Sequence, residues 1–150
     1  QLDRFTLKLS LEYLSPGDEI SLFNSELLRK TQTVTVRKLQ LQDVLQITAE
    51  IKEVSIAEEI KLYAAKLVAG SRDHQMVDLG GSTRATFSLI RCSQALAYFE
   101  NLNFVTPDYI RELFPYIIKH RLRLSGSHAE LENQKDSVIK EIVESVCAPV

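Results

Sequence analysis

Two arginines and one basic cluster hold most of the chemistry this sequence can offer. Arg84 stands in the stretch Leu79-Gly80-Gly81-Ser82-Thr83-Arg84-Ala85. The glycines make a turn and Ser82 a cap, and the apolar period that follows predicts a helix, so Arg84 falls in its first turn. Free backbone N–H groups and the helix dipole favour an anion at that end. A guanidinium adds a planar, bidentate phosphate donor. A cation there is unfavourable by about 0.3–1 kcal/mol unless an anion offsets it. The structural alternative is an ion pair with Asp78 or with acids near Glu100. Arg4 stands in Gln1-Leu2-Asp3-Arg4-Phe5, just ahead of an alternating run, where a charged fork at a sheet edge could reach a neighbour's ligand. Its alternative is a solvated side chain or a pair with Asp3. Lys119-His120-Arg121 and Arg123 follow the strongest apolar helix. They either complement that helix's dipole or meet an acidic partner or nucleic acid. Arg72, Asp73 and His74 read as a polar loop beside the glycine turn.

No complete catalytic constellation accompanies these residues. The chain has no G-x-x-x-x-G-K-[ST], no G-x-S-x-G and no H-E-x-x-H. Cys92 and Cys147 lie far apart, and His74, His120 and His128 supply no metal-ligand spacing, so the expectation is free cytosolic thiols and no metal site. By itself the chain is not expected to be an enzyme.

The elements that must position Arg4 and Arg84 follow from periodicity. Phe5, Leu7, Leu9 and Leu11 alternate with polar residues, which predicts a strand with one buried face. Ser15-Pro16-Gly17-Asp18 opens a helix with Ile20, Phe23 and Leu27 on its apolar side. The β-branched residues of Thr31–Lys38 favour an extended segment. Helical period resumes at Leu41, Val44, Leu45 and Ile51, and Ser55-Ile56-Ala57-Glu58 reads as a capping box for a helix that frays near Gly70. After a loop over Arg72–Leu79, a long helix from Thr83 carries Ala85, Leu89, Cys92, Leu96 and Phe99. Thr106-Pro107 starts the strongest stripe, Ile110, Leu113, Phe114, Ile117 and Ile118. Leu122 and Leu124 suggest a short strand, Gly126–Lys135 a polar loop, and Val138, Ile139, Ile142, Val143 and Val146 a last helix stopped by Pro149. About six helices and one orphan strand result, a mainly α domain beside the last strand of a truncated α/β layer.

Composition agrees with a soluble domain. The chain has 150 residues, 45% hydrophobic and 25% charged. Eighteen basic against 20 acidic residues leave a net charge of −2, which argues against a nucleic-acid partner. No apolar run reaches the length of a membrane helix and no signal peptide is evident, so a cytoplasmic location without membrane insertion is expected. The chain opens on Gln1 and its one methionine is Met76, which suggests a fragment of a longer protein.

Several of these strings, in order, resemble the C-terminal part of a MoxR-family AAA+ ATPase. They are Leu2-Asp3-Arg4-Phe5, Tyr13-Leu14-Ser15-Pro16, Ala69-Gly70-Ser71-Arg72 with His74, Leu79 to Ala85, Val105 to Ile110, His120 to Ser125, and Ala129-Glu130-Leu131-Glu132. The magnesium chelatase ATPase subunit has a similar lid. Thr83 stands where the family usually has proline, and Gly81 where alanine is common. The resemblance implies that residues 1–14 end the ATPase core and 15–150 form the helical lid. It implies that Arg4 is an arginine finger acting in trans on a neighbour's ATP, and that Arg84 is sensor 2. Walker A and B elements would lie upstream, so ATP and Mg2+ belong to the complete ATPase and none is expected in the fragment. A hexameric homo-oligomer ring with chaperone-like remodelling activity and von Willebrand factor A domain partners is implied in the same way. The alternative is a stand-alone helical interaction module that uses the Lys119–Arg123 patch.

Overall fold

The computed structural model describes residues 1–28, 38–126 and 128–149, with side chains described over 1–25, 38–126 and 134–149. Its elements are a 3-10 turn at Leu2–Arg4, helices α1 (Pro16–Leu28), α2 (Leu41–Glu53) and α3 (Glu58–Asp73), strand β1 (Val77–Leu79), helices α4 (Thr83–Phe99) and α5 (Pro107–Ile118), strand β2 (Arg123–Leu124) and helix α6 (His128–Ser145). The fold is mainly α, as expected. The two strands pair antiparallel, Val77 opposite Leu124 and Leu79 opposite Arg123, with an irregularity between.

The core lies where α3, α4, α5 and α6 meet. Tyr63, Leu67 and Val68 of α3, Leu89 of α4, Ile110, Phe114, Ile117 and Ile118 of α5, and Val138 and Ile142 of α6 are fully or almost fully buried. The α5 stripe is as expected except at Leu113, which is only half-buried at the margin of the core. On α4 the buried face is Ala85, Ser88, Leu89, Ser93 and Ala97, while Cys92 and Leu96 are half-buried and Phe99 is exposed. Small residues on either side of Leu89 let the α4 backbone approach its neighbours, so Cys92, Leu96 and Phe99 mark the flank of that face. The buried Ser93 hydroxyl is satisfied by donating to the Leu89 carbonyl at 2.8 Å.

Several boundaries differ from those the patterning suggests. Residues 5–11 form no strand. Phe5, Leu9 and Leu11 are exposed, Leu7 packs against the core, and the Lys8 N–H donates to the Tyr116 carbonyl at 3.0 Å. A strand needs a backbone partner along its length, and among the described residues this segment is instead a strap laid on the helical body. Ser55 is not a cap. It bridges to Phe104 in parallel and its hydroxyl donates to the Asn103 carbonyl at 3.0 Å, and α3 begins later, at Glu58. Helix α3 runs past Gly70 to Asp73, so Arg72 and Asp73 are helical, and β1 follows in place of a loop. The polar stretch from 126 is helical from His128, because Ala, Glu, Leu, Gln and Lys are strong helix formers whatever their polarity. The apolar residues of α1 and α2 are largely exposed, among them Ile20, Phe23, Leu41 and Leu45. The extended segment expected over 31–38 lies, apart from Lys38, outside the described residues.

Candidate functional site

The start of α4 is built by a turn that only small residues can make. A Cβ on Gly80 would lie 2.4 Å from the Ser71 carbonyl oxygen, a contact no L side chain tolerates. The buried Ser71 hydroxyl accepts from the Gly81 N–H at 2.9 Å and donates to the Val68 carbonyl at 2.6 Å. Arg72 donates to the Gly81 carbonyl at 2.7 Å. The end of α3 thus grips the turn and fixes where α4 begins. Ser82 is the N-cap, as expected, its Oγ accepting from the Arg84 N–H at 3.3 Å.

Arg84 lies in the first turn of α4 with its guanidinium more than half exposed. Its ion pair is with Asp3, Nη1 to Oδ2 at 3.6 Å, and not with Asp78 or Glu100. Those two are engaged elsewhere, Asp78 accepting from the Ser125 hydroxyl and Glu100 from the Tyr109 hydroxyl, each at 2.5 Å. The Ser82 hydroxyl also donates to the Asp3 carboxylate, at 3.0 and 3.1 Å. The 3-10 turn at residues 2–4 is therefore docked on the N-terminus of α4 through an acid, the charge that this helix end favours.

Docking brings Arg4 and Arg84 into one open cleft of about 720 Å³. Arg91, two turns further along α4, lines it too, with the hydroxyl residues Ser82, Thr83 and Ser88. Arg4 makes no ion pair among the described residues, so its expected alternative, a pair with Asp3, does not form. One carboxylate against three guanidiniums leaves the cleft positive. The donor set, forks plus hydroxyls plus a helix N-terminus, fits a polyphosphate and not a bare divalent cation, which needs several oxygen ligands. No group of acids, histidines or cysteines able to hold a metal occurs among the described residues.

The basic cluster after α5 is split: Arg123 is exposed and Lys119 partly so, whereas His120 and Arg121 are buried. Arg121 is buried, its side chain 1% exposed. Its Nη1 donates to the carbonyl of Ile117 at 2.7 Å and of Thr6 at 3.3 Å. Its Nη2 donates to the carbonyl of Phe5 at 2.6 Å and of Asp3 at 3.3 Å, and its Nε stands 3.1 Å from the Asp3 carboxylate. Burial pulls the Arg121 guanidinium below the usual arginine value, and Asp3 opposes that shift. His120 is buried beside it, Nε2 3.1 Å from the Phe5 carbonyl. Lys119 pairs with Asp136 at 2.7 Å. Of the patch named for a stand-alone interaction module, His120 and Arg121 are thus engaged inside the fold, while Arg123 is exposed and Lys119 is held in a surface pair. Asp3 does not stand out in the residue pattern and Arg121 does so only as one of a basic cluster, though one signal of its burial exists: Ile110, Phe114, Ile117 and Arg121 step by four, three and four along one face. A charge that continues an apolar stripe has a partner inside.

Residues 69–149 match the AAA lid domain family, and the chain belongs to it. Within that class it is similar to a MoxR chaperone and to a protein assigned as an ATPase. It is 31% identical to YeaC of Bacillus subtilis over its whole length, covering 47% of that protein. It is 23% identical to the chaperone MoxR1 of Mycobacterium tuberculosis, with 99% of this chain and 41% of that one aligned. A crystal structure from Cytophaga hutchinsonii, of a protein assigned as an ATPase, superposes with a TM-score of 0.85 at 28% identity, covering 99% of this chain and 48% of that one. The chain thus spans about half the length of the relatives it matches. Among the described residues no helix is long and apolar enough to cross a membrane.

Proposed function

We propose that the cleft between the 3-10 turn and α4 receives the phosphates of ATP, with Arg84 as sensor 2 and Arg4 as the arginine finger. The observation that carries this reading is that two arginines remote in sequence line one positive cleft at a helix N-terminus. Guanidiniums held there stabilise the charge that grows on the transferring phosphoryl group. Their shared cleft supports action on a single phosphate chain, which the finger reaches from a neighbouring subunit. A homo-oligomeric ring belongs to the same proposal, because a finger working in trans needs a neighbour. The division at residue 14, Mg2+ held with ATP by core residues outside this chain, and a chaperone-like role with von Willebrand factor A domain partners rest on the likeness to MoxR proteins.

The test is ATP turnover by the longer chain that joins this lid to a nucleotide-binding core. Arg4→Ala should lower kcat by about 10³-fold or more, the range of an arginine finger. Arg84→Ala should lower kcat as well. Turnover unchanged in both variants would overturn the assignment.

A further inference from the structure

Arg121 is a buried charge whose hydrogen bonds go mainly to backbone. It reads carbonyls at residues 3, 5 and 6, and His120 approaches the same Phe5 carbonyl. A guanidinium is suited to this because its planar fork serves several acceptors at fixed angles, which an ammonium cannot do. Removing it from water is costly unless its donors are satisfied and a counter-charge lies close. Asp3 supplies that charge at 3.1 Å and also pairs with Arg84 at 3.6 Å. One carboxylate therefore links the buried arginine to the cleft arginine, and Arg4 is the next residue along the same clasped turn.

We propose that Arg121 is the positioning residue of the cleft: its buried guanidinium clasps the backbone of residues 3–6 and so holds Arg4 beside Arg84. The inference rests on the phosphate reading of the cleft and adds the part that sets its geometry. Arg121 touches no phosphate. It acts by making the Arg4 segment and the helical body one rigid piece, so a lid movement is also a finger movement. Arg121→Lys keeps the charge and loses the fork, and is the informative substitution.

Two measurements test this. The first is amide hydrogen exchange of the chain, read at Lys8, whose N–H donates to the Tyr116 carbonyl. Arg121→Lys should speed exchange at Lys8 about tenfold or more while amides of α3 and α5 stay slow, the mark of local opening. The second is turnover in the longer ATPase. Arg121→Lys should lower kcat by up to about 10²-fold with KM for ATP little changed, as displacement of a catalytic group does. With Cys92 and Cys147 replaced by serine, a Lys8→Cys, Tyr116→Cys pair oxidised to a disulfide should restore kcat to Arg121→Lys, and reduction should abolish the rescue. A residue needed only for core integrity would not be rescued by a tether at position 8. Lys8 exchange unchanged in Arg121→Lys, or kcat unchanged with Lys8 exposed, or no rescue on oxidation, would each overturn the clasp. Arg4→Ala and Arg84→Ala in the same assay report on the phosphate reading, while Lys8 exchange judges the clasp without nucleotide.

Discussion

Asp3 and Tyr109 show how single side chains set local electrostatics here. The exposed pair of Asp3 with Arg84 contributes little to stability, about 0–1 kcal/mol, and is the kind of contact an incoming anion can replace. Tyr109 is different. Its hydroxyl donates to Glu100, and that bond pushes the phenol up to about 12 from its usual value near 10. The raised value means the fold favours the protonated phenol. Its contribution is complete below about pH 10 and is lost as pH rises through about 12. Thermal melts of the chain and of Tyr109→Phe should therefore differ below pH 10 and converge toward pH 12. A gap that stays constant across that window would show the phenol is not held in this way. Tyr98 likewise donates to Glu50, which lowers the carboxyl and raises the phenol, and ties α2 to α4.

At the scale of elements, helix ends decide the geometry. Helix α4 closes in a Schellman arrangement, with Leu102 N–H to the Ala97 carbonyl at 2.9 Å and Asn101 N–H to the Tyr98 carbonyl at 3.0 Å. Asn101 takes φ 60° to do this, a conformation costly for β-branched residues. Asn101→Val should destabilise by about 1–2 kcal/mol and Asn101→Gly should be tolerated, as thermal or denaturant melts would report. At the other end of α4 two glycines differ. Gly80→Ala drives a Cβ into the Ser71 backbone, whereas Gly81→Ala meets the flexible tip of Ile118 at 2.6 Å. Gly80→Ala should cost about 1–3 kcal/mol and Gly81→Ala less. Equal melting temperatures for the two would count against the packing of α3 under this turn.

The whole molecule divides into a packed body and a strap with exposed apolar residues. In the body, Phe114 is fully enclosed while Leu113 lies at the margin. Phe114→Ala should cost about 3–5 kcal/mol in denaturant unfolding and Leu113→Ala clearly less. The reverse order would mean α5 is rotated from its place. The apolar period of α5 was legible because a helix buried along one face repeats its large residues at that spacing. The burial of α4 was less so, since apart from Leu89 its contact face is made of alanines and serines that carry little hydrophobic signal. The alternation over residues 5–11 specifies a chain with two faces but not a strand partner, and the strap is held by its Lys8 N–H on the Tyr116 carbonyl and by Arg121 on the Phe5 and Thr6 carbonyls.

Local physics written in the sequence determined the six helices of the described residues, the Ser82 cap, the glycine turn and the two arginines worth testing. Caps, turns and amphipathic stripes act over a few residues, so spacing alone reveals them. Only the tertiary structure decided that Arg4 and Arg84 share a cleft, that Asp3 stands between two guanidiniums, and that Arg121 is buried. Those facts join residues at opposite ends of the chain. Such contacts depend on how helices pack, and no local pattern encodes the partner of a charge that the fold takes out of water.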